Sequence, residues 1–172
     1  MSLVIGVDPS KTSTGIVVLN GDEVVEARTL QPKKSQSDLD VAIWQQYHFG
    51  CFLNDFRADT DLLLFEDYIY MGSKRLAAAV TIGTALRMIT KEIGVTFETV
   101  AVTQVKKFAL AKGKRQKQDM KLAVYKRWGF EHDSDDVVDA YVIARIAQAL
   151  AHPENDYGLT KPQNEVLKKL RS

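Results

Sequence analysis

The stretch VIGVDPSKTSTGIVVL, residues 4–19, limits the fold more than any other part of the chain. Two short apolar runs rich in β-branched residues are interrupted once, by Asp8 and the turn-forming group that begins at Pro9. Runs of this length and composition are buried strands, so an acid at the end of the first one sets a charge at the rim of a sheet. LVIGV at 3–7 and GIVVL at 15–19 read as neighbouring strands, and the looser alternation of VVEARTL at 24–30 adds a third. Asn20-Gly21 supplies a tight hairpin turn between the last two, which predicts three consecutive antiparallel strands.

A polar connection from Gln31 to Ser37 follows, and Ser37 with Asp40 three residues on is a helix-start signature. Val41, Trp44, Tyr47 or His48, Cys51, Phe52 and Phe56 recur at helical spacing, which predicts a helix from about Leu39 to Arg57 packing that face on the sheet. LLLFE at 62–66 predicts a fourth strand, apolar on both faces as a central parallel strand is, and it too ends on an acid, Glu66. Beyond it the pattern predicts a small-residue helix at 74–93, a strand at 99–102, and a short helix capped by Thr103 through Leu110. An exposed loop at 111–117, a helix at 118–128, and a long apolar helix from Ser134 to about Ala151 complete the series. The remainder is polar, with a short helix at 163–170. The absence of repeats and linkers predicts one domain over residues 1–152 and a C-terminal tail over 153–172.

At 172 residues and 45% hydrophobic, such a domain buries a sizeable core without disulfides. Cys51 is the only cysteine, which excludes an internal disulfide and zinc sites built on paired cysteines, and suits a reducing compartment. No apolar run is long enough to span a membrane and no signal-type segment opens the chain, so the expected location is the cytoplasm, without a membrane partner.

Three places now carry carboxylates at element ends: Asp8, Glu66, and the helix opening Asp135-Asp136-Val137-Val138-Asp139. Taken singly, each has an ordinary explanation. Asp8-Pro9 is good turn chemistry, Glu66 and Asp67 suit a solvated strand exit, and Asp135 and Asp136 suit a helix N-terminus. Asp139 is harder to explain, because it sits a turn inside a run whose neighbours are apolar, where a buried charge needs a partner. In an α/β sheet the strand ends along one edge, with a helix start beside them, are where sites assemble, and Asp136 and Asp139 share a helix face. Four converging carboxylates repel one another, each pair near 4 Å by about 4 kcal/mol at an effective dielectric of 20, and divalent cations reverse that sign. Oxygen donors without Cys or His suit magnesium or manganese, and two such ions roughly 3.5–4 Å apart are an arrangement that cuts phosphodiesters.

Four motifs in order then resemble the RuvC family of Holliday-junction resolvases: IGVDPSKTSTG at 5–15, FEDY at 65–68, QVKK with the AKGKRQK loop at 104–117, and DDVVDAY at 135–141. The resemblance spans roughly residues 3–150, with Ser10 standing where the family usually has glycine. It implies an α/β, RNase H-like fold: a mixed five-stranded sheet, three antiparallel strands then two parallel, with helices on both faces. It implies catalytic, metal-holding acids at Asp8, Glu66, Asp136 and Asp139, with Asp135 an alternative third ligand. It also implies two Mg2+ per site, replaceable by Mn2+, a four-way DNA junction as substrate, a homodimer, and a bacterial cell or phage-infected host.

Residues 105–127 hold nine cations against the single acid Asp119 in a nearly neutral chain, which beside an acidic metal site serves to draw in DNA phosphates. The resemblance also puts a junction-binding loop here, which makes Lys112, Lys114, Arg115 and Lys117 the candidate phosphate contacts, with Lys107 expected nearer the scissile phosphate and Lys74 and Arg75 extending the basic surface. Tyr68 and Tyr70 either stack on unpaired bases or cap the sheet edge. Three other classes fit parts of the pattern. These are a sugar-kinase or Hsp70 type of phosphate loop, which needs a second domain, a ribonuclease H acting on RNA–DNA hybrids, and a non-catalytic binder of branched DNA.

Overall fold

The computed structural model describes residues 2–34, 36–68, 74–110 and 117–172. The element order is β1 (Leu3–Asp8), β2 (Thr14–Asn20), β3 (Glu23–Leu30), α1 (Asp38–Phe56), β4 (Thr60–Glu66), α2 (Lys74–Ile93), β5 (Phe97–Val100), α3 (Val102–Leu110), α4 (Lys117–Trp128), α5 (Asp135–Ala151) and α6 (Lys161–Leu170). The sheet runs β3-β2-β1-β4-β5, with β1, β2 and β3 antiparallel in turn and β4 and β5 added parallel to β1.

Alternation along each strand sorts the core into two halves. Leu3, Ile5 and Val7, with Ile16, Val18, Leu63 and Phe65, pack against Phe49, Phe52 and Leu53 of α1 and Ile82 and Leu86 of α2. Val4, Val17, Leu19, Leu62 and Leu64 face the other way, onto α5 and the smaller helices around it. Both faces of β1, β2 and β4 are therefore dry, which is why these strands read as unbroken apolar runs. At about 1.5–3 kcal/mol per large buried apolar side chain, these layers supply the main favourable contribution to folding.

On the second face, α5 lies directly on the backbone of β1 and β2. A Cβ on Gly6 would stand 2.1 Å from the Ala140 carbonyl oxygen and 2.3 Å from the Ala144 nitrogen, and one on Gly15 would stand 2.0 Å from the Asp136 carbonyl oxygen. Two strand glycines and two helix alanines thus let helix and sheet meet main chain to main chain. The rotation of α5 is fixed farther along by Arg145, only 8% exposed, which donates to Asp22 (2.6 Å) on the β2–β3 turn and to the Tyr141 hydroxyl (2.8 Å). Gln148 donates to the Gly21 carbonyl (2.7 Å) on the same turn.

Several boundaries and faces depart from the sequence expectation. In α1 the Ser37 cap holds, its hydroxyl oxygen accepting from the Asp40 N–H (3.2 Å). The buried face, however, is Val41, Gln45, Phe49 and Phe52, while Tyr47 and Cys51 point outward. Large aromatics on two adjacent faces leave helical periodicity ambiguous, and packing on β2 and β4 selects the Phe49 side. Strand β5 ends at Val100, two residues early, because Ala101 N–H already donates to the Gln104 side chain (3.0 Å) and starts α3 there. The segment after Pro153, expected as a polar tail, returns to the core: α6 buries Val166 and Leu167, and Gln163 donates to the Phe108 carbonyl (2.8 Å). None of the helices is long and apolar enough to cross a membrane among the described residues.

If the glycine seats set how close α5 comes, Gly15→Ala will cost at least about 3 kcal/mol in urea unfolding or prevent folding, the upper end of overpacking effects. Gly21→Asn will cost less than about 1 kcal/mol, because that turn glycine (φ +58°) has open space around it and Asn accepts the left-handed conformation. Equal losses at the two sites would refute the close-approach argument.

Candidate active site

Asp8 is the last residue of β1, paired across the ladder with Gly15, and Glu66 is the last residue of β4 beside it. The turn after Asp8 is pinned from α1. Ser10 N–H donates to Thr14 Oγ1 (3.0 Å), the Thr14 hydroxyl donates to Gln45 Oε1 (2.6 Å), and Gln45 Nε2 donates to the Ser10 carbonyl (2.8 Å). Gln45 is fully buried, so its amide has no competing water and the turn has one geometry. This supporting residue is absent from the sequence reading; a lone glutamine in a helix gives no signal until its neighbours are known.

The seating of α5 on Gly15 and Gly6 delivers the helix acids. Asp8, only 8% exposed, is hydrogen-bonded side chain to side chain with Glu66. Burial pushes the Asp8 carboxyl well above the usual range, and the charges of Glu66, Asp139 and Asp136 push it further. Glu66 is raised to about 7, first by burial and then by Asp139 and Asp136, with the Asp8 hydrogen bond and the charge of Lys106 acting in the opposite sense. Both carboxyls therefore hold a proton more tightly than free carboxylates do, with Asp136 and Asp139 close enough to be felt by both.

Asp135 is drawn toward α4. It forms an ion pair with Lys121 of α4 (2.9 Å), and Lys121 also donates to the Asp133 carbonyl (2.6 Å), so the first acid of the triplet faces α4. This geometry favours Asp136 as the helix acid that accompanies Asp139. Lys107 also lies elsewhere, paired with Glu165 of α6 at 2.6 Å; the α3 cation that acts on Glu66 is its neighbour Lys106. One residue along a helix is a turn of about 100°, which is enough to exchange the two lysines. Tyr68 lies against α2, its ring 4.2 Å from the Arg87 guanidinium and its hydroxyl 3.1 Å from Thr84 Oγ1, a placement that serves the sheet edge. Lys74 and Arg75 open α2 and Lys117 opens α4, while Tyr70, Lys112, Lys114 and Arg115 lie outside the described residues.

The donor chemistry fits hard divalent cations. Two buried carboxylates with raised proton affinity, Asp8 and Glu66, lie at a sheet edge within electrostatic reach of Asp136 and Asp139, and among the described residues Lys106 is the basic group whose charge acts on Glu66. Among the described residues no three His, Cys, Asp or Glu side chains stand in ion-holding geometry. Displacing protons from Asp8 and Glu66 would leave Asp8, Glu66, Asp136 and Asp139 as an all-oxygen ligand set of the kind that holds Mg2+.

Comparison of the whole structure with solved ones decides the fold. A Thermus thermophilus RuvC in complex with a Holliday junction substrate superposes with a TM-score of 0.70 at 20% identity, over 84% of this chain and 91% of that one. The chain has the RuvC fold. A second Thermus thermophilus RuvC structure gives 0.68 at 19% identity, over 83% and 90%. No family model matches the chain and no curated protein matches it. The RuvC fold is RNase H-like, and it carries the mixed sheet with helices on both faces that the sequence predicts.

Because Asp8 and Glu66 bind their protons more tightly folded than unfolded, the stability they contribute is full below the ordinary carboxylate range. It is lost as pH rises through about 7. Asp8→Asn keeps a donor to Glu66 and removes the charge, so at pH 8 without divalent ions it will melt roughly 5 °C above the wild type. At pH 5 the difference will be small. Mg2+ will raise the wild-type melting temperature at pH 8 and leave the variant unmoved, whereas a variant that melts lower at pH 8 would contradict the raised proton affinity of the pair.

Proposed function

We propose that the protein is a structure-selective endodeoxyribonuclease that resolves four-way DNA junctions by metal-assisted phosphodiester hydrolysis, acting in the cytoplasm. The observation that carries this reading is the convergence of Asp8, Glu66, Asp136 and Asp139 on one edge of a RuvC-fold sheet. The RuvC of similar structure was solved on a Holliday junction, which supports branched DNA as the substrate here.

Two Mg2+ ions, or Mn2+ in their place, would be held by the four carboxylates and would supply Lewis-acid polarisation of the phosphate and acidification of the attacking water. The protein's own part is preorganisation. The Gln45 pin fixes the exit of β1, α5 fixes Asp136 and Asp139 relative to it, and the apolar layers below keep the acids in a low-dielectric rim. Lys106 sets a positive charge beside Glu66, where it opposes the repulsion between the acids and an incoming phosphate. By sequence, the cations Lys74, Arg75, Lys112, Lys114, Arg115 and Lys117 are the further candidates for drawing the backbone in, and Tyr70 is a candidate to meet unpaired bases.

A junction has two-fold symmetry and its resolution takes two matched nicks, which a homodimer supplies. The small-residue helix α2 is largely occupied within the chain, with Ala78, Ile82 and Leu86 buried. The row Leu39, Ile43 and Tyr47 on α1, 57–68% exposed and spaced four apart, with Met88 of α2 at 61%, is the apolar surface that a second copy would cover.

The test is nicking of an end-labelled immobile four-way junction beside linear duplex and an RNA–DNA hybrid, with Mg2+ and with chelator. Paired, Mg2+-dependent nicks confined to the junction are expected. Asp139→Asn is expected to lower the rate by at least roughly 100-fold and Lys106→Met by about 10-fold, with Lys107→Met within about threefold of wild type. Cleavage confined to the hybrid would make the protein a ribonuclease H, and junction binding without cleavage would make it a scaffold.

A further inference from the structure

One face of α2 grips the chain where it leaves β4, immediately after Glu66. Arg87 Nη2 donates to the Glu66 carbonyl oxygen (3.3 Å) and to Asp67 Oδ1 (3.2 Å). Asp67 Oδ1 also accepts from the Tyr68 N–H (2.9 Å), and Asp67 N–H donates to the Val100 carbonyl (2.8 Å), which carries the β4–β5 ladder one residue past the acid. The Arg87 guanidinium lies over the Tyr68 ring, 4.2 Å from its centroid, and the Tyr68 hydroxyl meets Thr84 Oγ1 at 3.1 Å. Gly83 makes room for the ring: a Cβ there would stand 2.6 Å from Tyr68 Cε1 and 3.1 Å from its hydroxyl. The Arg87 side chain is only 17% exposed, and its Nε is buried without a hydrogen-bond partner among the described residues. A buried guanidinium left partly unsatisfied is costly, and here its one bonded edge is spent on the strand exit of a site acid.

We propose that Arg87 is a positioning residue for Glu66, acting through a latch formed with Tyr68, Asp67 and Gly83. Resting on the nuclease reading above, this makes α2 the element that sets the aim of the Glu66 carboxyl toward Asp8. Three hydrogen bonds, at the Glu66 carbonyl, the Asp67 N–H and the Tyr68 N–H, fix the main chain immediately after the Cα that carries it. Lysine cannot reproduce the latch, because it lacks the planar fork that bonds the strand exit and stacks on the ring. Alanine at Gly83 reaches the same latch from the opposite side, displacing the ring without touching Arg87 or any acid. A substitution of Gly by Ala inside a helix ordinarily stabilises it, so a loss of function at this position has no general helix explanation.

The experiment compares wild type, Arg87→Lys, Gly83→Ala and the double variant by three measurements. The first is the single-turnover rate of junction cleavage at saturating protein, and the second is junction affinity in chelator. The third is the Mg2+ concentration that half-saturates the thermal shift of the DNA-free protein. Each single variant is expected to lose at least tenfold in rate and to need severalfold more Mg2+, with junction affinity within twofold. The double variant is expected to be no worse than the more damaged single one, since both act through one ring. Weakened affinity with an intact saturated rate would overturn the proposal by placing Arg87 and Tyr68 on the DNA instead. Unchanged Mg2+ demand in two folded variants would also overturn it. If the wild type cuts no junction, the nuclease reading fails while the Mg2+ titration still decides the role of Arg87.

Discussion

The close approach of α5 to the sheet is the constraint from which the rest of the site follows. A helix seated on ordinary side chains lies about 10 Å from the strands beneath it, and its first-turn acids would sit a side chain's length too high. Here Gly6 and Gly15 withdraw their side chains from under Ala140, Ala144 and the Asp136 carbonyl, so that main chain touches main chain. The same contact that completes the core therefore brings Asp136 and Asp139 within electrostatic reach of Asp8. Arg145 and Gln148, gripping the β2–β3 turn, prevent the helix from rolling out of that seat.

What the fold assembles there costs stability. Burial and mutual repulsion both oppose charge on Asp8 and Glu66, and Lys106 offsets only part of that for Glu66. Most of the domain follows the opposite rule: polar groups such as Gln45 and Gln163 are buried with their hydrogen bonds made, and the ionic side chains pair at the surface. Strongly perturbed carboxylates gathered in one place of an otherwise well-satisfied structure mark a candidate functional site. The supports are drawn from both layers. Gln45 of α1 holds the exit of β1 and Arg87 of α2 holds the exit of β4, while α5 approaches from the far face. Glu66 and Asp8 are thus each fixed from behind by a helix that contributes no acid.

Much of this was legible in the chain because its signals are local. Asp8 and Glu66 stand at the ends of apolar runs, Asp139 interrupts another, and an acid in such a place must be turn chemistry, a helix cap or a site. Strand order followed from the short hairpin at Asn20-Gly21 and from β4, which is apolar on both faces. The errors came where tertiary contact overrides pattern. Lys106 and Lys107 differ only by helix rotation, and the start of α3 at Val102, set by the Gln104 cap, decides which of them faces the acids. Tyr47 and Cys51 fit the apolar spacing of α1 as well as Gln45 and Phe49 do, until the sheet selects a face. The last 20 residues read as polar because α6 needs only Val166 and Leu167, with Gln163, to dock on α3 and α5. The latch at Arg87 joins residues about 20 apart through a glycine, an aromatic and a carbonyl, and no spacing rule reports it.

The central claim is that Asp8 and Glu66 hold a proton that a divalent cation displaces when it joins them to Asp136 and Asp139. The most direct measurement is calorimetric titration of the DNA-free protein with Mg2+ at pH 6.5 in buffers of different ionisation enthalpy, which counts protons released per ion bound. The account predicts release of about one proton at pH 6.5, falling as pH rises past about 7, where Glu66 ionises. Magnesium binding at pH 6.5 without proton release would show that the ion sits elsewhere, and the four acids would then be no cation site.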